Sequence, residues 1–243
     1  MDLNDPLSSS GWVPLRLPVP GRSVDFITGE DPYLSAAQIS NLFTVTAWSY
    51  ERIWRHQSLA ILTRGRLTVR EELNRLKTFA GQVSPRVVVD LGCSTGLYGR
   101  TVGQHLSGTQ VWFLDYSLPM LRQAARLNGP VPRFHYIRQY AEQPAFLPES
   151  VDLVICGGSL NEFADPDLVL RQVYRMLSPG GSVFFMGIQT AESPAGRAIQ
   201  TALSWSGLSF LPKDQIIRHF TSNGLSVTRY DQSGPVFLLT AHR

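Results

Sequence analysis

The sequence predicts an α/β protein built on a mostly parallel, doubly wound sheet with helices on both faces. Three observations predict it. From Val87 onward, short apolar runs alternate with stretches of helical period. The first run, Val87-Val88-Val89-Asp90-Leu91, passes straight into Gly92-Cys93-Ser94-Thr95-Gly96, a glycine-bounded turn that opens a helix. The chain closes on two strand-like runs parted by Gly234-Pro235, a hairpin that puts one antiparallel strand near the sheet edge. A strand, a glycine turn and a helix in that order make the pattern Rossmann-like.

Taken in order, residues 1–34 carry Pro6, Pro14, Pro18, Pro20 and Pro32 and read as a loosely ordered, proline-rich arm, since proline this dense opposes helix. Residues 35–84 read as a helical cap, with Ile39, Leu42 and Phe43 on one face and Thr68-x-x-Glu71 as a capping box. Residues 85–243 form the main domain. Its strands are expected at Val87–Asp90, Val111–Asp115, Phe134–Ile137, Val151–Cys156, Ser182–Ile188, Leu225–Tyr230 and Val236–Ala241. Helices are expected at Tyr98–His105, Pro119–Leu127, Pro166–Leu177 and Pro212–Phe220, with Ser117 and Asp165 as caps. Residues 189–211 break the alternation and read as a lid insertion, because long excursions from such a domain are usually functional.

Composition narrows the possibilities. The chain has 243 residues, 43% hydrophobic and 17% charged, enough to bury a sizeable core. Its formal net charge of +3 is small and dispersed, which argues against a nucleic acid partner. Two cysteines without paired spacing, Cys93 and Cys156, give neither a metal signature nor a disulfide framework. The N-terminus carries Asp2 and Asp5 and no basic, apolar leader, and no apolar run is long enough for a membrane span, so a cytoplasmic location is expected.

The chemistry gathers at the strand ends. Asp115 closes the second strand of the domain 25 residues after Asp90, where a carboxylate takes ribose hydroxyls in Rossmann-like folds. Asp90 stands before the glycines. A carboxylate there repels a pyrophosphate and suits the ammonium group of an amino acid. S-adenosylmethionine carries that ammonium and no phosphate. A nicotinamide dinucleotide fits less well, because Gly92-Cys93-Ser94-Thr95-Gly96 lacks the middle glycine that lets backbone approach a pyrophosphate.

Asp90-Leu91-Gly92-Cys93-Ser94-Thr95-Gly96 resembles the first motif of the class I S-adenosylmethionine-dependent methyltransferases. Leu114–Leu121, Leu147–Val154 and Arg175–Gly181 resemble their later blocks, in the same order. The nearest likeness is to the small-molecule methyltransferases of the ubiquinone and menaquinone type, over roughly residues 85–243. The resemblance implies a seven-stranded sheet with the last strand antiparallel. It implies that Asp90, Gly92, Cys93, Ser94 and Gly96 line the methionine end of the cofactor. Asp115 would bind the ribose, Tyr116 and Met120 would flank the adenine, and Ala141 and Glu142 would meet its edge. Gly157 and Ser159 would approach the methyl-bearing sulfonium. Two positions depart from the family pattern: Ser94 replaces a frequent glycine, and Tyr140 stands where an aspartate often receives the adenine amino group.

Methyl transfer from a sulfonium asks mainly for alignment, so no metal is expected, and a base only for some acceptors. Glu162, His56 and Tyr50 are the candidates. Each has a structural alternative: a helix-start carboxylate for Glu162, and core packing for His56 and Tyr50. Buried small residues are the expected state of Cys93 and Cys156. Phe43, Trp48, Tyr50, Trp54, Ile199, Leu203, Trp205 and Phe210 are expected to wall the site, which favours a small apolar or aromatic acceptor such as a quinone, isoprenoid, polyketide or lipid. The rival readings are a non-catalytic S-adenosylmethionine binder and a nicotinamide-dependent oxidoreductase.

Overall fold

The computed structural model describes residues 6–7, 13–15, 17, 19–27, 34–44, 46 and 55–243. Among the described residues, nine strands form one sheet: β1 (Val13–Pro14), β2 (Ser23–Asp25), β3 (Val87–Leu91), β4 (Gln110–Asp115), β5 (Phe134–Arg138), β6 (Val151–Gly157), β7 (Leu177–Ile188), β8 (Ser226–Ser233) and β9 (Val236–His242). Their spatial order is β1-β2-β5-β4-β3-β6-β7-β9-β8. The strands from β2 to β7 in that order pair in parallel, and β9 runs antiparallel to both β7 and β8. Seven of the nine reproduce the expected architecture, with the hairpin strand β9 inserted antiparallel. The central strand β3 is rich in β-branched side chains and almost wholly buried, as a parallel strand covered on both faces must be.

The helices are α1 (Ala36–Ser40), α2 (Arg55–Thr63), α3 (Val69–Val83), α4 (Leu97–His105), α5 (Leu118–Asn128), α6 (Pro166–Met176), α7 (Pro194–Ser204) and α8 (Lys213–Ser222). One core holds Val169 and Val173 of α6 and Ile216 and Phe220 of α8 against Val89, Leu91 and Phe185. The other holds Leu76 and Ala80 of α3, Val102 of α4 and Leu121 of α5 against Val88, Phe113 and Ile155. Burial of these side chains supplies the main stabilisation, at about 1.5–3 kcal/mol for each large apolar group.

Two expectations about the N-terminal third need correction. The arm at 1–34 supplies two strands and so widens the sheet beyond seven. Val24 of β2 is fully buried, and β2 extends the otherwise open edge of β5. β1 tolerates Pro14 because it is an edge strand, where a missing N–H costs no ladder bond. The cap at 35–84 also divides. The α3 helix lies in the layer beside the sheet, with its capping box formed as Thr68 and Glu71 predict, whereas α1 stands over the carboxyl ends of the strands. Tyr50, Trp48 and Trp54 lie outside the described residues, and His56 falls on α2.

Candidate functional site

The carboxyl ends of β3, β4, β5 and β6 open into a narrow cleft, with a cavity volume of about 50 Å³. It lies where strand order reverses on either side of β3, the crevice that binds ligands in open α/β sheets. Gly92 and Ser94 from the first turn line it, with Leu114, Asp115, Tyr116 and Met120 from the second. Gln139, Tyr140, Ala141 and Glu142 follow β5, and Ser159, Glu162 and Phe163 follow β6. Gln38 and Asn41 descend from α1.

The turn after β3 is built tightly around Asp115. The Ser94 backbone N–H donates to Asp115 Oδ2 at 2.7 Å, and the Ser117 N–H donates to Oδ1 at 2.8 Å. Ser94 sits at φ 50°, a left-handed conformation that only glycine adopts freely, and its hydroxyl reaches Met120 Sδ at 3.4 Å. The departure from glycine is therefore accommodated. Ser159 Oγ donates to the Gly92 carbonyl at 2.9 Å, tying the turn to the 3-10 helix Ser159–Glu162. Gly92 has φ +64°, and a Cβ there would lie 2.5 Å from Ser159 Oγ. Gly92→Ala is expected to weaken binding of S-adenosylhomocysteine tenfold or more in a calorimetric titration, and adding Ser159→Gly should recover part of the loss by removing the clash. Equal affinity in Gly92→Ala would show that the turn does not shape the site.

Three buried carboxyls converge on this region. Desolvation pushes Asp115 up to about 6, against the opposing pull of the Ser117 and Ser94 N–H groups. Desolvation, with the nearby Asp115 charge, lifts Glu162 to about 7, and Asn41 opposes it by donating to Glu162 Oε2 at 3.0 Å. Asp90 is raised by burial to about 8 while accepting the Gly99 N–H at 2.8 Å. Carboxyls buried at and behind the cleft and raised by desolvation are groups whose ionised form a cationic guest would stabilise.

The 3-10 helix is also the junction for everything above the sheet. Asn161 Nδ2 donates to the Ile188 carbonyl at 2.7 Å and the Ser209 carbonyl at 2.6 Å, while its Oδ1 accepts the Ile188 N–H at 2.9 Å. That clamps both ends of the 189–211 excursion. On α1, the Gln38 carbonyl accepts the Tyr116 hydroxyl at 2.6 Å, and the Gln38 side chain donates to the Glu162 carbonyl at 3.3 Å. The Ala37 N–H donates to the Ser206 carbonyl at 2.9 Å, so α1 and the excursion meet above the cleft.

The expected cofactor-binding residues, with Glu162, separate into two groups, while Tyr50 lies outside the described residues and His56 falls on α2. Gly92, Ser94, Asp115, Tyr116, Met120, Ala141, Glu142, Ser159 and Glu162 line one cleft. Asp90, Cys93, Gly96 and Gly157 stand behind it and shape it: Gly96 caps α4 in a left-handed conformation, and the Cys93 N–H donates to the Leu114 carbonyl at 2.9 Å. Both cysteines are buried, with their thiols pushed upward by desolvation, as inert core residues are. Gln38, Asn41, Leu114, Gln139 and Phe163 join the lining without having been singled out. A signal existed for two of them: Ser35-x-x-Gln38 is a capping box, and Gln38 and Asn41 share a helix face. Among the described residues, the expected aromatic walls do not line the cleft. Phe43, Ile199, Leu203 and Trp205 are exposed, Trp205 by 87%, and none lines the cleft. The cause is the orientation of α7, whose buried face carries Gln200, bonded to the Gln189 carbonyl and the Ala191 N–H. Among the described residues no cluster of three or more His, Cys, Asp or Glu is placed to hold a metal, and no helix is long and apolar enough to cross a membrane.

Residues 89–183 match the family described as a methyltransferase domain. The chain is 33% identical over 119 residues to a ubiquinone biosynthesis O-methyltransferase of Serratia proteamaculans, covering 48% of each protein. It is 31% identical over 154 residues to the biotin biosynthesis bifunctional protein BioCD of Bordetella avium, covering 62% of this chain and 30% of that one. An S-adenosylmethionine-dependent methyltransferase from Mesorhizobium loti shares the fold, with TM-score 0.59 and 21% identity over 70% of this chain and 96% of its own. Residues 89–183 are thus similar to methyltransferase domains, and the chain shares the fold of a solved S-adenosylmethionine-dependent methyltransferase. It spans about half the length, or less, of the curated relatives it matches. The site fits S-adenosylmethionine: a turn that a Cβ at Gly92 would fill lies beside buried carboxyls suited to a sulfonium and an ammonium.

Proposed function

We propose that the protein transfers a methyl group to a small, largely apolar or aromatic acceptor by in-line displacement, with Glu162 as its base. The observation that carries this reading is Asp115, held by two backbone N–H groups at the end of β4 and facing the cleft beside the Gly92 turn. When bound, S-adenosylmethionine supplies an activated methyl on a sulfonium, so the protein's work is alignment and proton removal. Asp115 takes the ribose hydroxyls, Tyr116 and Met120 flank the adenine, and Ala141 and Glu142 border it. Gly92 and Ser94 shape the seat of the methionine end, with Asp90 and Gly96 behind them, and Ser159 and Gly157 border the sulfonium.

Glu162 is suited to a phenol or a similarly acidic acceptor. Held near neutrality, it is partly ionised at working pH and ready to accept a proton. A relative named for O-methylation in ubiquinone biosynthesis supports a phenolic acceptor. We assign the exposed apolar side chains Ile39, Ile199 and Leu203, with the 189–211 excursion, to a lid under which such an acceptor enters.

Two measurements test the reading. Calorimetry should show binding of S-adenosylmethionine and S-adenosylhomocysteine and none of NADH; the opposite preference overturns it. Incubation with a panel of phenolic quinone precursors should release S-adenosylhomocysteine, and Glu162→Gln should lower turnover far more than cofactor affinity. The affinity should also fall with acid. Ribose hydroxyls donate to ionised Asp115, so binding favours the deprotonated form, and a carboxyl at about 6 must lose its proton first. S-adenosylhomocysteine affinity is therefore expected to drop about tenfold between pH 7.5 and pH 5. A flat profile would exclude Asp115 from the ligand.

A further inference from the structure

Away from the cleft, the surface carries a groove between α3 and α4, with a volume of about 670 Å³. Val69, Leu73 and Leu97 make its floor, buried or half-buried against the core beneath. Its rim is polar: Arg70, Asn74 and Lys77 come from α3, and Thr101, Gln104 and His105 from α4. The lining residues of α3 run from Val69 to Lys77, about 12 Å along the helix.

Charge is sorted around this groove. Among the described residues no carboxylate lines it, and neither Arg70 nor Lys77 forms an ion pair. Both acidic residues of α3 are engaged elsewhere. Glu71 closes the capping box with Thr68, and Glu72 is buried with Arg55 and Tyr98. The remaining cations of the two helices also have partners. Arg75, on another face of α3, pairs with Asp231 at 3.0 Å, and Arg100 donates to the Thr95 carbonyl and to Asn128 Oδ1.

We propose that the groove docks an acidic, amphipathic helix of a partner protein, with apolar side chains on Val69, Leu73 and Leu97 and carboxylates on Arg70 and Lys77. Arg70 and Lys77 lie two turns apart, about 10.5 Å along α3. That is too far to grip one phosphate or carboxylate. It matches two carboxylates seven residues apart on a second helix, and the apolar residues three and four places on from the first then meet the floor. A flat lipid surface would meet the rim but not the floor. A second copy of this chain would bring a net charge of +3 to a cationic groove. Apolar burial holds such a helix, and the rim charges steer it and fix its register.

The test uses the full chain and three fluorescent helical peptides. The first carries glutamates seven residues apart with leucines between them. The second has lysines for the glutamates, and the third has serines for the leucines. By fluorescence anisotropy the first is expected to bind about tenfold tighter than either of the others, and to weaken as salt rises. Arg70→Glu with Lys77→Glu should reverse the preference between the glutamate and lysine peptides, with the melting temperature and S-adenosylhomocysteine affinity unchanged. Equal binding of the three peptides by the unaltered protein, or binding of none, overturns the proposal, whether or not the paired variant folds well. Co-sedimentation with phosphatidylglycerol vesicles that the paired substitution abolishes also overturns it, since the cations would then serve a lipid surface. So does a dimer in analytical ultracentrifugation that the same substitution dissolves.

Discussion

Asp115→Asn is expected to raise the Kd for S-adenosylhomocysteine about 10- to 150-fold, the value of a charge-assisted hydrogen bond of about 1.5–3 kcal/mol. Ser94 N–H and Ser117 N–H each point at one carboxylate oxygen, and both oxygens keep a second lone pair for the cleft. An amide in the same place accepts on one side only. Its NH2 group faces an N–H donor on the other, so one backbone donor loses its partner. The fold should lose about 1–3 kcal/mol, a thermal shift of roughly 2–4 °C for each kcal/mol in a chain of this size. The two effects separate by pH. In Asp115→Asn the acid-side fall in affinity should flatten, because the group that titrates at about 6 is gone. Retained affinity with retained acid dependence would assign the ribose contact elsewhere.

How much of this was legible depends on whether a feature is local. Val87–Leu91, the turn to Gly96 and the acidic end at Asp115 were readable because strand, turn and helix start are local patterns, and the strand end fixes where Asp115 must stand. The Val236–His242 strand was readable through its turn and its alternation with Ser226–Ser233. The two N-terminal strands were not. Proline density argues for loop, and nothing within Ser23–Asp25 announces a strand; the three residues become one because β5 offers an open edge. The roof of the cleft was hidden for the same reason. Asn41 meets Glu162 across 121 residues, and only the fold brings them together. The α7 helix misled in another way. Its apolar side chains suggested a wall over the site, but its one buried residue is Gln200, held by backbone hydrogen bonds, so the apolar face points outward. Polar tethering of Gln200, invisible to a hydrophobic count, decided the orientation.

The largest stability effect is expected at Glu72. It is fully buried in α3, where its Oε1 accepts both the Arg55 guanidinium and the Tyr98 hydroxyl. Arg55 is itself buried, and its guanidinium lies 5.9 Å from the Tyr98 ring centroid. Removing the carboxylate takes an acceptor from both the buried Arg55 guanidinium and the buried Tyr98 hydroxyl, so Glu72→Ala should cost about 3–5 kcal/mol. Tyr98→Phe keeps the ion pair and should cost about 1–3 kcal/mol for the lost hydrogen bond. Replacing both charges, Arg55→Met with Glu72→Leu, should recover part of the Glu72→Ala loss, because an apolar pair avoids the desolvation of buried charges. Urea denaturation of the four proteins gives the comparison, and a Glu72→Ala loss below 1 kcal/mol would show that the ion pair is not what holds α2, α3 and α4 together. The consequence reaches the cleft through Tyr98. Its ring packs edge-on against Phe184 and lies where a Cβ on Gly157 would stand 3.2 Å away. Gly157 leads into the 3-10 helix that holds Ser159, Asn161 and Glu162. A loosened Tyr98 should therefore weaken S-adenosylhomocysteine binding even where the protein remains folded, and the double cycle of Glu72→Ala with Tyr98→Phe should be strongly non-additive.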